Sequence, residues 1–497
     1  MFVSFCDFLD ILPIYASAPE AWATPAANLR LRLAPHSPNS CNVATSIFKA
    51  PERLLNCRLV NYYQGMNPDT RDDFVWLLSD EAVPLLEKVQ QAFEDRINAV
   101  RIAKSVRKKT TPTRSALIME QAQLRIKANI KFTLANKMFF TRRGLEQATG
   151  RRLAIYKAAR FAGMNHVADI CCGIGGDLLA LGKRDDVDGS DNRTTAVDND
   201  ELTCLFAKRN LEVNSIDPDL VSIQETDFAN FDLKGIDGIH IDPDRRVKER
   251  TVQGNRFSPS LVDVFERIDP DCTVAAKVAP ATPVASYFPP GLQREWIGDH
   301  RECKQQILWS GPATDKPGHR TATYVGKQGV ISQISVEESE LEQPPIVFDS
   351  IRRYIFEPHP AVLAAGLADA LARKNGLGRF TSSIVYLTGD EPISDPLLPQ
   401  FEVLDILPLD LRTTVKALGK LDVGEVEFKK RGIENVTAAQ FARMKIDGRN
   451  KATLILTRLG KTRVAVIAKR PGNDLPIPTE GNKPNTDDVG GAVDPEV

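Results

Sequence analysis

The chain has 497 residues, 42% of them hydrophobic and 26% charged, with a formal net charge of −1. That length exceeds one ordinary domain, and the composition is that of globular protein. The near-zero charge excludes a globally basic nucleic-acid coat while leaving room for a local basic face.

No stretch approaches the ~20 uninterrupted apolar residues of a spanning helix. The apolar opening of the chain is broken by Asp7 and Asp10 with no Lys or Arg before it, unlike a signal peptide. The eight cysteines show neither paired CxxC ligands nor a disulfide framework. A cytoplasmic protein with reduced thiols, no membrane and no metal is expected.

In chain order, residues 1–65 combine Pro35, Ser37, Pro38, Asn39 and Ser40 without periodicity. They read as a disordered extension that the fold can dispense with, Met66 being a candidate start. A helical domain is expected over 66–165, where Leu78, Val83, Leu86, Val89 and Phe93 recur at spacings of three to five and 116–135 repeats the habit. Residues 104–112 read as a charged loop.

From 166 to 335 short apolar strands alternate with helices, the pattern of a Rossmann-like α/β sheet covered on both faces. Strands are expected at 166–170, 195–197, 221–224, 238–241 and 274–278, then an antiparallel pair at 306–309 and 321–325. A linker at 337–345 leads to a small α+β unit over 346–470. In that unit the pattern predicts a helix at 360–373, strands at 383–387 and 401–406, and a closing hairpin of 451–458 with 462–469. Residues 471–497 read as a flexible tail.

The first strand of the sheet runs into Asp169-Ile170-Cys171-Cys172-Gly173-Ile174-Gly175-Gly176-Asp177. Glycines here let backbone approach a ligand closely. The spacing is G-x-G-G rather than G-x-G-x-x-G, with an acid on each side that would repel a pyrophosphate. S-adenosylmethionine, with an ammonium and a sulfonium in place of phosphates, suits Asp169 and Asp177. Asp198 ends the second strand, where an acid accepts ribose hydroxyls. Asp227 and Phe228 follow the third, offering a carboxylate to the adenine amine and a ring to its face.

The expected cofactor set is therefore Asp169, Cys171, Gly173, Gly175, Gly176, Asp177, Asp198, Asp227 and Phe228. The fourth strand ends in Asp242-Pro243-Asp244-Arg245-Arg246, at the edge where open α/β sheets bind ligands. Asp242, Pro243, Asp244 and Arg245 are the candidate catalytic residues, with Asp242 orienting the acceptor or taking its proton. Asp244, Arg245 and Arg246 could equally form an exposed ionic network. Cys171 and Cys172 read as small packing residues and His240 as structural, while Phe139 and Phe140 stay open between core and cofactor edge.

The run from Asp169 to Asp177 resembles motif I of class I methyltransferases, close to its form in the trimethylguanosine synthase group, and Asp242 to Arg246 stands at the motif IV position. Together with Met138-Phe139-Phe140-Thr141, Gly144-Leu145-Glu146-Gln147-Ala148-Thr149 and Lys429-Lys430-Arg431-Gly432, the chain resembles bacterial methyltransferases with a C-terminal THUMP-like domain, from about Phe74 to Arg470. The resemblance implies a class I fold, with RNA, a structured tRNA or rRNA, as substrate. Asp-Pro-Asp-Arg-Arg lacks the aromatic of amine methyltransferases and is nearer the Asp-Pro-x-Arg element of uracil-C5 enzymes, yet no cysteine stands in 277–283. Direct transfer to nitrogen or oxygen is the expectation.

Between 428 and 470 stand twelve Lys or Arg against Glu434 and Asp447 alone, which reads as an RNA-binding face centred on Lys429, Lys430 and Arg431. Arg101 to Lys109 could extend it. Two alternatives remain: a non-catalytic RNA-binding protein that keeps the scaffold, and a small-molecule methyltransferase, which leaves the basic unit without a reason.

Overall fold

A computed structural model describes residues 68–184, 192–245, 257–284, 288–434 and 446–471, with Pro68, Asp69, Thr70 and Arg245 placed by their backbone alone. The expectations for residues 1–65 and for the tail beyond 471 fall outside these residues, as does Arg246.

The described chain opens on α1 (Pro68–Leu78), α2 (Val83–Glu94), α3 (Ala99–Val106) and α4 (Pro112–Ala128). Asn98 caps α3 by accepting from the Val100 amide, and Thr111 caps α4 ahead of Pro112. Because Ile102 and Val106 bury one face of α3, Lys104 to Val106 are helical, and the expected charged loop shrinks to the turn after them. Two short helices follow, α5 (Arg142–Gln147) and α6 (Arg151–Ala158). Phe139 and Phe140 are core residues, the Phe139 ring lying 4.7 Å beneath the buried Arg125 guanidinium.

The central sheet has nine strands in the order β11-β10-β8-β9-β7-β4-β1-β2-β3. Its parallel part comprises β1 (His166–Ile170), β2 (Arg193–Asp198), β3 (Val221–Glu225), β4 (Gly238–Ile241) and β7 (Thr273–Val278). The short helix α7 (Leu178–Leu181) follows β1, α8 (Glu201–Val213) follows β2 and α9 (Leu261–Arg267) precedes β7, while β5 (Asp244–Arg245) and β6 (Phe257–Ser258) make a small separate ladder. One face of the sheet buries Ala168, Ile170, Ile239, Ile241 and Leu308. The other buries Val167, Ala275, Ile307 and Trp309 under Leu153 and Phe161 of the helical segment.

Beyond β7 the expected antiparallel pair is corrected. β9 (Glu302–Ser310) pairs antiparallel with β7 and with β8 (Gln293–Asp299), and β10 (His319–Val325) pairs parallel with β8. The strand β8 hid from the apolar pattern because Gln293 and Glu295 point into the core. Glu295 is fully buried and accepts from Tyr156, Thr323 and Trp309. The outer strand β11 (Ile331–Glu337) completes the sheet.

The C-terminal sheet orders β13-β14-β12-β15-β18-β17-β16. The expected helix at 360–373 is two, α10 (Pro360–Ala365) and α11 (Ala368–Lys374), broken at Gly366 with φ 73°. The short strands are β12 (Tyr354–Phe356), β13 (Gly378–Arg379) and β14 (Leu387–Gly389), and the long ones β15 (Gln400–Pro408), β17 (Asn450–Leu459) and β18 (Thr462–Lys469). Sequence reading missed α12 (Leu411–Lys420) and β16 (Val423–Lys430). The latter is an edge strand whose Glu425, Glu427, Lys429 and Lys430 suppress any apolar alternation. Trp296, Ala322 and Val336 of the central sheet share one apolar cluster with Tyr354, Phe356 and Leu387 of the second.

Candidate functional site

The strand order turns at β1: β2 and β3 lie to one side, β4 and β7 to the other. The loops after β1 and β4 therefore diverge into a crevice at the carboxyl edge, the usual ligand position of such sheets. In the loop after β1, Cys171, Gly173 and Gly175 have φ of 56°, 56° and 90°. A Cβ at Gly173 would meet nothing within 4 Å, so that side of the loop is open. At Gly176 a Cβ would lie 3.1 Å from the Thr149 amide, so this glycine serves the close approach of the α5–α6 connection.

Asp198 accepts from the Gly173 amide at 3.0 Å and from the Asp200 amide at 3.1 Å, coupling the ends of β1 and β2. Burial pushes its carboxyl up, against the pull of those two amides. Asp227 accepts from the Asn199 side chain at 2.8 Å. The expectation for Phe228 is corrected: it is 6% exposed within the core, and Arg267 covers its ring at 4.5 Å, so that face is taken.

Beneath the loop runs a buried ionic chain. The parallel register sets Asp169 beside His240, and the Nδ1 of His240 lies 2.7 Å from Asp169 Oδ1. Lys157 Nζ of α6 stands 3.0 Å from the other ring nitrogen and 2.8 Å from Asp177, which also accepts from the Thr149 hydroxyl at 2.7 Å. Burial pushes the Asp177 carboxyl up, but Lys157, His240 and Lys277 outweigh it and hold it well below the usual carboxylate range. The expected ligand contact of Asp177 is thus corrected: its carboxylate belongs to Lys157 and Thr149. Asp169 Oδ2 differs, being buried without a hydrogen-bond partner.

At the end of β4, Asp242 Oδ2 accepts from Lys277 Nζ of β7 at 2.6 Å, and Lys277 also reaches the Gln147 carbonyl at 3.2 Å. Pro243 is buried. Asp244 is exposed and paired with Arg143 at 2.7 Å, with the Gln147 amide at 3.4 Å. In α5, Gly144 packs so closely that a Cβ would stand 2.6 Å from Ile174 of the loop after β1. Helix α5 thus touches both loops of the crevice. Burial and the surrounding carboxylates push the Cys171 and Cys172 thiols up, which removes both as nucleophiles.

The C-terminal basic residues are distributed differently from the expectation. Lys429 pairs with Glu357 and lies 5.3 Å over the Phe401 ring. Arg431 donates to the Val385 carbonyl at 2.7 Å and stands 3.7 Å from Glu357. Both are part-buried and committed within the domain, so of the expected trio only Lys430 is exposed. Arg470 pairs with Glu427, Arg449 with Asp422, Lys451 with Glu425 and Lys469 with Glu402. Those acids all precede the window that looked so basic. Lys461 and Arg463, at the β17–β18 turn, remain exposed and make no ion pair among the described residues.

Sequence reasoning missed Lys157, Lys277 and Asn210. The last is fully buried on α8 and donates to the carbonyls of Phe139 and Ile174. The only available signal was a polar His240 inside an otherwise apolar central strand, which asks for buried partners. Among the described residues no group of His, Cys, Asp and Glu is arranged to hold a metal ion, and no helix is long and apolar enough to cross a membrane.

Residues 398–470 match the family model described as THUMP domain-like. Two Mycobacterium tuberculosis proteins, from strains CDC 1551/Oshkosh and H37Rv, are each 26% identical to this chain over 328 residues, spanning 65% of it and 86% of their own length. Both carry the name of uncharacterized S-adenosylmethionine-dependent methyltransferase. The crystal structure of a Porphyromonas gingivalis W83 protein assigned as a methyltransferase superposes with a TM-score of 0.59 at 18% identity, covering 79% of this chain and 99% of that one. The fold is therefore that of a class I methyltransferase with a THUMP-like domain at its C-terminal end.

Proposed function

We propose that this S-adenosylmethionine-dependent methyltransferase modifies RNA, which its THUMP-like domain brings to the crevice between the β1 and β4 loops. The observation that carries the reading is the presence, in one chain, of a donor loop at a sheet switch point and a THUMP-domain-like unit at 398–470.

The residues fit S-adenosylmethionine. Gly173 has open space on the side a Cβ would fill, and Asp169 Oδ2 is a buried acceptor without a partner, suited to an ammonium. Asp198 at the end of β2 suits the ribose hydroxyls and Asp227 the adenine amine. When bound, S-adenosylmethionine supplies an electrophilic methyl group on a sulfonium. The protein's part is positioning: the buried chain from Asp169 to Asp177 holds the loop, α5 covers it, and Asp242 orients the acceptor.

The RNA-facing surface lies at the β17–β18 turn rather than around Lys429 and Arg431. Arg458 and Arg463 stand directly opposite each other across the hairpin, both exposed, with Lys461 in the turn. Like charges so paired destabilise a sheet, and a polyanionic partner relieves that cost. Lys430 is exposed near the same end, its register partner being Leu456.

Replacing Lys430, Lys461 and Arg463 together by alanine should weaken binding of bulk cellular RNA and flatten its salt dependence by about two to three units of log–log slope. Affinity for S-adenosylhomocysteine should not change. Unaltered RNA affinity at physiological salt in filter binding would remove the C-terminal surface from the reading.

A further inference from the structure

Among the described charged groups of the crevice, the Lys277–Asp242 pair stands apart from the buried ionic chain. The Asp169–His240–Lys157–Asp177 chain is buried and props the donor loop. Lys277 and Asp242 instead stand at the carboxyl ends of neighbouring strands, beside the helix that spans both loops. Lys277 is largely covered, fixed at 2.6 Å to Asp242 Oδ2 and at 3.2 Å to the Gln147 carbonyl. Asp242 is about a third exposed. Its Oδ1 makes no hydrogen bond among the described residues. Burial pulls the Lys277 ammonium down, but Asp242 and Asp177 outweigh that and hold it above the ordinary lysine value. Lys277 is thus placed as a fixed donor between Asp242 and the Gln147 carbonyl, and Asp242 Oδ1 is the oxygen left to accept from an incoming group.

A fixed ammonium at the acceptor position discriminates between acceptors. Methylating a neutral nitrogen builds positive charge on that nitrogen, which an adjacent ammonium opposes. A hydroxyl must give up its proton and builds negative charge on oxygen, which the same ammonium stabilises. A second observation agrees. Among the described residues, Asp242 to Arg245, α5 and 278–284 carry no aromatic side chain, so these segments themselves supply no ring to stack a base. Lys131, which caps the carbonyl end of α5, marks the same positive surroundings. Burial together with Lys277 and Lys304 pulls it down to about 8.

We propose that Lys277 and Asp242 act as a fixed ammonium–carboxylate pair serving a hydroxyl acceptor, so that the product is a ribose 2′-O-methylated nucleotide in RNA. The proposal rests on the RNA reading above. In the step, the acceptor O–H proton passes to Asp242 Oδ1 as the new C–O bond forms. The donor C–S bond breaks with its electron pair going to sulfur, which leaves as a neutral thioether. Lys277 remains an ammonium throughout and acts as a positioning residue.

The test uses the full-length protein and the variants K277M, K277R, D242N and K277M/D242N. Each of K277M and D242N should lower kcat on bulk RNA from a deletion strain by about 100-fold or more, with the KM for RNA unchanged. S-adenosylhomocysteine affinity by calorimetry and the thermal midpoint should stay near wild type. K277R should recover part of the loss, and the double variant should be no slower than the worse single one, because the pair acts as a unit. Should K277M fold poorly, D242N and K277R carry the comparison.

Nucleoside mass spectrometry should show a 2′-O-methylated nucleoside missing from the deletion strain, restored by the wild-type gene and not by K277M. Loss of a base-methylated nucleoside instead, or a K277M kcat within threefold of wild type, would overturn the pair's assignment while leaving the RNA reading intact. An unchanged set of RNA nucleosides, with labelled methyl reaching protein or a small molecule, would overturn the RNA reading itself.

Discussion

Replacing Lys157 by methionine is expected to cost about 3–5 kcal/mol of folding stability, because it strips the counter-ion from a carboxylate that has no route to water. Lys157 is 1% exposed and Asp177 7%, and they meet at 2.8 Å beneath the donor loop. Removing both charges in a Lys157→Met, Asp177→Asn double variant should cost much less than the single change, since no uncompensated charge is then buried. The same pair sets a pH dependence. Asp177 titrates below its unfolded value, so its contribution is fully present above about pH 4 and is lost as the pH falls below that. Urea unfolding of wild type and both variants at neutral pH and at about pH 3 measures all of this. A single variant as stable as wild type at neutral pH would show that the ionic chain is dispensable.

Replacing Asp198 by alanine should weaken S-adenosylhomocysteine binding by about 100-fold or more without unfolding the protein. The carboxylate ties the Gly173 and Asp200 amides, so in the proposed site its loss would remove both a ligand acceptor and the tie that shapes the loop after β1. Hydrogen bonds to a charged group contribute about 1.5–3 kcal/mol each, and losing their combined effect exceeds two decades of affinity. Calorimetry with S-adenosylhomocysteine, alongside a circular-dichroism spectrum matching wild type, makes the measurement. A loss below threefold would take Asp198 out of the donor site.

The parts of this architecture that depend on local pattern were legible in the chain, and those that depend on tertiary neighbours were not. Short apolar runs mark β1, β2, β3, β4 and β7, and Asp169, Asp198, Asp227 and Asp242 stand at or just beyond their ends. What each carboxylate touches is another matter. Asp177 looks like Asp169 in sequence, yet Lys157 comes from a helix twenty residues earlier, and only the folded register brings His240 between them. The strand β8 is invisible to a pattern of apolar alternation because Glu295 is solvated by Tyr156, Thr323 and Trp309 instead of water. Phe228, a ring in the right place for adenine, is spent on the core by Arg267. Counting charges from 428 onward overstated the basic face, because Glu357, Glu402, Asp422, Glu425 and Glu427 reach it from earlier in the chain.

The central claim is methyl transfer from S-adenosylmethionine to RNA. It is tested most directly by incubating the purified full-length protein with S-adenosylmethionine labelled in the methyl group and bulk RNA from a strain lacking the gene. The account predicts label in nuclease-sensitive material, retained when RNA from the deletion strain is used and much reduced when RNA from the parent strain, already modified, replaces it. A protein that binds S-adenosylhomocysteine normally yet leaves both RNA pools unlabelled would contradict it.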